Sequence, residues 1–185
     1  MKKILLITAL VFATVAAFGQ KFGRISSTEL IQLCPEADKA RSDLQVVSQE
    51  AQDTYKDMVE EFNKKYNDYQ QNVANWSASR KESAEKDLDR IRQNIQEYSQ
   101  NVQNEIAQKE QELFQPIYEK ANDIITKLGK KYQLVAVFEV GSLPYIDEAQ
   151  IMDLTPEARK EMGVAEGRTL EALQAELQAQ QQQQQ

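Results

Sequence analysis

The fold is decided by residues 44–76, LQVVSQEAQDTYKDMVEEFNKKYNDYQQNVANW, which contain neither glycine nor proline. Apolar residues recur there at steps of three and four, the period of an amphipathic α-helix. The steps follow a 3-4-4 order, an eleven-residue repeat that gives a nearly straight or slightly right-handed seam. The stripe consists of Leu44, Val47, Ala51, Tyr55, Met58, Phe62, Tyr66, Tyr69, Val73 and Trp76.

A second helical stripe follows and extends to Tyr132. It consists of Leu88, Ile91, Ile95, Tyr98, Val102, Ile106, Leu113, Ile117, Ala121, Ile124, Leu128 and Tyr132. Between Gly23 and Gly129 there is no glycine, and Pro116 is the one proline after Pro35 in that span. Asn and Ser residues between the stripes favour a turn near 75–80 because their side chains compete with helix hydrogen bonds. We therefore predict that residues 35–129 form a long antiparallel hairpin, with helices of about 40 and about 50 residues.

Short strands are expected on both sides of this hairpin. Residues 22–26 read as a strand, and Ser26 with Glu29 forms a candidate capping box for a short helix that stops at Cys34. Residues 134–138 are apolar on both faces, which predicts a buried strand. A turn at 141–144 and a returning strand from Tyr145 should follow it.

The C-terminal part is predicted from its caps and its composition. Thr155 followed by Pro156 is typical of an N-cap and the first helical position, and the short helix should end at Gly163. Residues 164–185 end in six glutamines and are expected to be a helical or disordered tail with no core to join. The fold class is thus α+β, mostly α.

The predicted β-rich body, residues 20–34 and 130–163, is too small for a comfortable core. Its sheet would also have open edges that can pair with another chain. Oligomerisation through this body solves both problems. The residues assigned to it are Phe22, Ile25, Leu134, Ala136 and Phe138.

Composition excludes several function classes. The chain has no histidine, which removes His-dependent catalytic triads and His-containing metal sites. A net charge of −7 argues against general nucleic-acid binding, and the single Cys34 excludes an intramolecular disulfide. No glycine-rich phosphate loop is present, and acidic pairs such as Glu60–Glu61 fit an ordinary solvated helix face. We expect no enzyme, no metal and no cofactor.

The N-terminus has the three-part pattern of a secretory signal peptide, residues 1–19. Lys2 and Lys3 precede an apolar run from Ile4 to Phe18, which is shorter than the roughly 20 residues that span a bilayer. We expect the leader to be cleaved and the product to be soluble in the periplasm.

In this order of elements the chain resembles the Skp/OmpH family of periplasmic chaperones. The residues that support the resemblance are Lys21–Leu30, Tyr132–Phe138 and Ile151–Thr155, and it covers about residues 21–163. It implies a jellyfish-like trimer: a small β-rich body with three tentacle-like hairpins that enclose unfolded outer-membrane proteins without ATP. It also implies transient contact with the outer-membrane assembly machinery. The family's best-known members are strongly basic, so the acidic charge of this chain argues against lipopolysaccharide binding, and the Gln-rich tail is outside the family pattern.

The aromatic stripe allows two interpretations. Its side chains can fill the seam between the hairpin helices, or some can protrude and contact clients, since Tyr and Trp combine apolar bodies with polar tips. Trp76 at the predicted turn has little seam left to fill. The candidate client-binding residues are Tyr55, Met58, Phe62, Tyr66, Tyr69 and Trp76. The function predicted is an ATP-independent holdase; the alternative is a structural coiled-coil spacer or bridging protein of the envelope.

Overall fold

The computed structural model describes residues 21–183, so the predicted leader lies outside the described residues. Helices predominate, and three short strands form one sheet. In chain order the elements are β1 (Phe22–Ile25), α1 (Ser27–Leu33), α2 (Pro35–Asn72), α3 (Ala78–Lys131), β2 (Ala136–Glu139), β3 (Ile151–Asp153), α4 (Thr155–Met162) and α5 (Leu170–Gln183). This agrees with the predicted class, α+β and mostly α.

The described chain packs as two units. The sheet unit comprises residues 21–37 and 117–183, and the helix-pair unit comprises residues 38–116. Both long helices run through the two units, and in α3 the division falls at Pro116, where the helix lacks one backbone donor.

The two long helices match the sequence prediction in length. α2 has 38 residues and starts at Pro35, where a missing N–H costs nothing, and α3 has 54 residues. A 3-10 turn, Val73–Asn75, ends the first helix, so the connection lies slightly before the predicted 75–80. At the end of α3 the N–H of Leu134 donates to the carbonyl of Gly129 at 2.9 Å, with Gln133 in the left-handed region.

The sheet has the order β2-β1-β3, and both pairings are parallel. The predicted returning strand from Tyr145 is wrong: residues 140–150 form a connection, and the third strand is Ile151–Asp153. Because β2 and β3 both run parallel to β1, the chain has to cross over between them, and such a crossover takes about a dozen residues. The residues predicted to pair as a returning strand are part of this crossover connection. Strand β2 also starts two residues later than predicted, because Leu134 belongs to the helix cap.

Strand β2 is half-buried, whereas the sequence predicts full burial. Val135, just before it, is 61% exposed. On one face of β1 the described structure buries Gly23 and Ile25, whereas Phe22 and Arg24 on the other face are half-buried.

The predicted caps are half right. Ser26 accepts a hydrogen bond from the N–H of Glu29, as expected, but the Glu29 carboxylate pairs with Arg159 instead of returning to Ser26. The N–H of Ser26 donates to the hydroxyl of Thr155 at 3.0 Å, so Thr155 links the N-cap of α1 to α4 and is not the N-cap of its own helix. Gly163 ends α4 in the left-handed conformation, as predicted.

The tail joins the core, contrary to the prediction. Residues 170–183 form α5, which packs against α1, and Leu173 in it is 4% exposed. The core of the sheet unit also includes Leu30, Leu33, Cys34, Leu128, Leu154 and Met162.

Candidate functional site

The candidate client-binding residues all lie in the helix-pair unit and vary in exposure. Tyr55 and Tyr66 are 44% and 42% exposed. Met58, Phe62, Tyr69 and Trp76 are half-buried. The stripe is thus neither a closed core seam nor a free surface: each of its side chains from Tyr55 to Trp76 is partly accessible to water.

Two tyrosines of the helix-pair unit connect its helices. The hydroxyl of Tyr69 donates to the carboxylate of Glu85 at 2.5 Å, and that of Tyr98 donates to the carbonyl of Ala51 at 3.3 Å. The later residue of α2 thus contacts the earlier residue of α3, the order expected of antiparallel helices. The bond to Glu85 raises the pKa of Tyr69, because the phenol donates only while protonated.

Trp76 sits in an aromatic and cationic cluster at the connection between the helices. Its ring meets Tyr69 edge-on at 5.9 Å between centroids, and the Arg80 guanidinium lies 4.5 Å from its centroid. These contacts explain why the ring is half-buried, although few seam positions remain there. Nearby in α2, Phe62 and Tyr66 stack at 5.9 Å.

Two open grooves run beside this stripe. The first has a volume of about 590 Å³, with Trp76, Ala84 and Leu88 as its apolar part and charged residues of both signs at its rim. The rim residues are Glu61, Lys64, Lys65, Asp68 and Asp87. The second, about 380 Å³, is lined by Tyr55 and Val102 among others. Shallow grooves that combine apolar side chains with charged neighbours in the first and uncharged polar neighbours in the second suit weak contacts with varied side chains rather than one fixed ligand.

The charges of the helix-pair unit are largely matched along each helix. Residues 38–116 contain 11 Lys and Arg and 16 Asp and Glu, a net charge of −5. Pairs three or four residues apart, such as Lys86–Glu82 and Arg92–Asp89, neutralise most of the basic side chains. No large basic patch is therefore left in this unit.

The predicted oligomerisation residues divide between the two faces of the sheet. The strand register places Phe22, Ala136 and Phe138 on one face, where the Phe22 and Phe138 rings are 5.8 Å apart. Ile25 lies on the opposite face and is buried within the chain. Leu134 packs over Gly23, since a Cβ there would lie 2.7 Å from Leu134 Cδ1. Ile25 therefore belongs to the chain's own core, and Leu134, which is half-buried, packs against β1 of the same chain.

The sheet face that holds Phe22 and Phe138 is called the outer face here, and exposed apolar side chains follow β2 along the chain. Val140, Leu143 and Tyr145, in the connection after β2, are exposed, and Tyr145 reaches 80%. Val135, just before β2, is exposed as well.

Arg24 places a charge in the middle of the outer face, a feature that the sequence analysis missed. Its Nε and Nη2 donate to Asp153 Oδ2 at 3.1 and 3.0 Å, and its Nη1 donates to Glu148 Oε1 at 2.6 Å. Burial would raise the pKa of Asp153, but hydrogen bonds from Thr155 and Arg24 outweigh it and lower that pKa. Only the parallel register of β1 and β3 brings these residues together, so spacing along the sequence could not reveal them.

The potential metal ligands and the single cysteine were predicted to have no chemical role, and their surroundings in residues 21–183 are as follows. No group of three or more potential ligands is placed there to hold a metal ion. Cys34 is fully buried, and burial raises the pKa of its thiol, which favours the protonated form over the nucleophilic thiolate. In the same described range, no helix has the length and hydropathy to cross a bilayer.

Comparisons with known proteins agree with this architecture. Residues 21–162 match the family described as outer membrane protein (OmpH-like). The crystal structure of an OmpH-like protein from Caulobacter crescentus CB15, a candidate outer membrane chaperone, superposes with a TM-score of 0.68 at 12% sequence identity. The alignment covers 82% of this chain and 89% of that one. No curated protein matches at the threshold applied.

Proposed function

Because the chain belongs to the OmpH-like family, we propose that it is an ATP-independent periplasmic holdase that binds unfolded outer-membrane proteins and prevents their aggregation. The observation that supports this most directly is the half-exposed aromatic stripe along α2, with open grooves beside it. An unfolded chain presents many apolar side chains at irregular spacing, and a row of shallow apolar sites can engage several at once.

Capture through many weak contacts also allows release without ATP. Each ring can bury only part of its surface against a client, so a single contact contributes little affinity. Several contacts on one chain raise the effective concentration of the next, and avidity gives a long residence time. A client that begins to fold elsewhere withdraws its side chains one by one. This suits transfer to the outer-membrane assembly machinery.

The client would be held between several copies of the helical hairpin, each projecting from a shared β-rich body. We expect the outer face of the sheet to form that body, with Phe22, Ala136 and Phe138 buried against neighbouring copies. In the part of the chain that the structure describes, β2 and β3 each have one edge without a pairing strand, and exposed apolar side chains flank β2 along the chain. A homotrimer, as the family resemblance implies, would cover them.

Location and partners follow from the leader pattern and the charge. We expect export to the periplasm through residues 1–19, and no binding of nucleic acid. Lipopolysaccharide is not an expected ligand, since the helix-pair unit is acidic and most of its basic side chains are already paired.

A structural spacer or bridging protein of the envelope is the second candidate. The narrow seams and the ion pairs along each helix would serve a rigid rod equally well. A spacer should give a closed rod in small-angle X-ray scattering, whereas a holdase should give splayed hairpins around a space that fills when client is added.

Dilution of a denatured β-barrel protein into buffer without nucleotide tests the holdase directly. Light scattering should fall when the chain is present at a stoichiometric ratio. The paired changes Tyr55→Ser and Tyr66→Ser should raise the concentration needed for half protection about fivefold to tenfold, as the loss of about 1 kcal/mol of contact predicts. The matched control is Asn63→Ser with Asn67→Ser, exposed on the same helix. Unchanged scattering with excess wild-type chain would contradict the proposal.

A further inference from the structure

Residues 163–183 lie beyond the segment that matches the family, which ends at 162. They nevertheless form ordered structure in the sheet unit: a left-handed turn at Gly163, a second at Gly167, and helix α5. Without them the described sheet unit has 63 residues, a size at which a single core is marginally stable.

An apolar stripe seats α5 on α1. Leu173 is buried, and Leu170 and Leu177, at steps of three and four from it, are half-buried. Val164, at the start of the segment, is also buried. The remaining side chains of α5 up to residue 182 are exposed, so the helix is amphipathic in the sense needed to cover one surface.

Polar contacts fix the segment at its start. The Arg159 guanidinium of α4 pairs with Glu29 of α1 and also donates to the carbonyl of Arg168 at 2.5 Å. The Thr169 hydroxyl accepts a hydrogen bond from the N–H of Ala172 at 3.2 Å, which caps the first turn of α5. One side chain therefore joins α1, α4 and the approach to α5.

We propose that residues 163–183 form an intrachain strap that keeps the sheet unit folded in a subunit that has not yet assembled. A small unit with an uncovered apolar face would otherwise depend on neighbouring copies for its stability. The strap supplies buried apolar area from the same chain, on the α1 side, and leaves the outer face of the sheet open for assembly. This role is independent of client binding.

Hydrogen exchange in the full-length chain tests the strap. Leu173→Gln replaces the buried leucine of α5 with glutamine, the most frequent residue in this helix. Ala175→Gln introduces the same residue at an exposed position of the same helix and is the matched control. At a concentration where the protein is dissociated, Leu173→Gln should reduce protection of the α1 amides, residues 27–33, at least about tenfold. Ala175→Gln should leave them within about twofold of the wild type. Equal protection in both variants would overturn the proposal.

Concentration dependence provides the second readout. The urea midpoint should depend more steeply on protein concentration in Leu173→Gln than in the wild type, because association then replaces the lost strap. A chain ended after Leu177 keeps all three leucines of α5 and should behave as the wild type. A chain ended after Gly167 should behave as Leu173→Gln or be unfolded when dilute. Wild-type stability after that second truncation would also overturn the strap.

Discussion

Replacing Phe138 with alanine should separate assembly from client capture. Phe138 lies on the outer face of the sheet, half-buried, with its ring 5.8 Å from that of Phe22. Phe62, in the helix-pair unit, is a matched control: it is also half-buried and has an aromatic neighbour, Tyr66, at 5.9 Å. The two substitutions remove the same atoms from similar local surroundings.

The loss of association free energy in Phe138→Ala depends on what covers the outer face. If neighbouring copies bury it, Phe138→Ala removes contacts that a single chain does not make. Full burial of a phenylalanine side chain stabilises by about 1.5–3 kcal/mol, and about half of that burial is already present within the chain. Each interface should therefore lose about 0.8–1.5 kcal/mol, and its dissociation constant should rise about fourfold to twelvefold.

Sedimentation velocity over a dilution series measures this loss. Phe138→Ala should dissociate at higher concentration than the wild type, while Phe62→Ala should keep the wild-type assembly and lose part of its protection of denatured β-barrel protein. If Phe138→Ala assembles as the wild type does, or Phe62→Ala dissociates instead, the outer face is not the assembly surface.

Trp76→Ala should lower the free energy of unfolding by no more than about 1–2 kcal/mol, since the Trp76 ring makes one edge contact and one cation–π contact. The same change should weaken the protection of client proteins against aggregation. A larger fall in the free energy of unfolding would mean that the ring belongs to the core. Gly129→Ala should raise the free energy of unfolding by about 0.5–1 kcal/mol, because alanine favours helix and the added Cβ would make ordinary van der Waals contact with Val137 Cγ2 at 3.8 Å. Gly163→Ala should lower it by about 1 kcal/mol, because φ at that position is 79°, a left-handed conformation that alanine adopts at a cost. Urea unfolding of both glycine variants checks the opposite signs. The pKa values of Asp153 and Glu157 are lowered from their ordinary values of 3.8 and 4.5, so both ionised carboxylates stabilise the folded state above those values and lose that contribution as the pH falls below them. The urea midpoint should therefore drop between about pH 5 and pH 3. A midpoint that rises with acidification would contradict these contacts.

The long helices could be predicted because their determinants are local. An uninterrupted apolar period and the absence of glycine predict a helix without reference to distant residues. Pro35 marks the start of α2. The fold class and the aromatic stripe followed from the same pattern. The surroundings of the stripe could not be predicted, because the exposure of each side chain depends on how the two helices pack against each other.

The sheet could not be predicted in full because its order and register depend on distant pairs. Residues 145–146 have strand-like composition, but the parallel pairing of β1 with β3 requires them for the connection. The same register decides that Phe22 and Phe138 share a face while Ile25 points into the core. The tail was misjudged for a related reason: its glutamines suggest low complexity, yet three leucines at helical spacing are enough to seat it on α1.

Light scattering coupled to size exclusion, on a mixture of the chain with an unfolded β-barrel protein in buffer without nucleotide, tests the capture of clients by an assembly most directly. Our account predicts one soluble species whose mass equals several copies of the chain plus client, and an assembly of the same number of copies when client is absent. Elution of the chain at the mass of a single copy, with the client lost to aggregates, would contradict it.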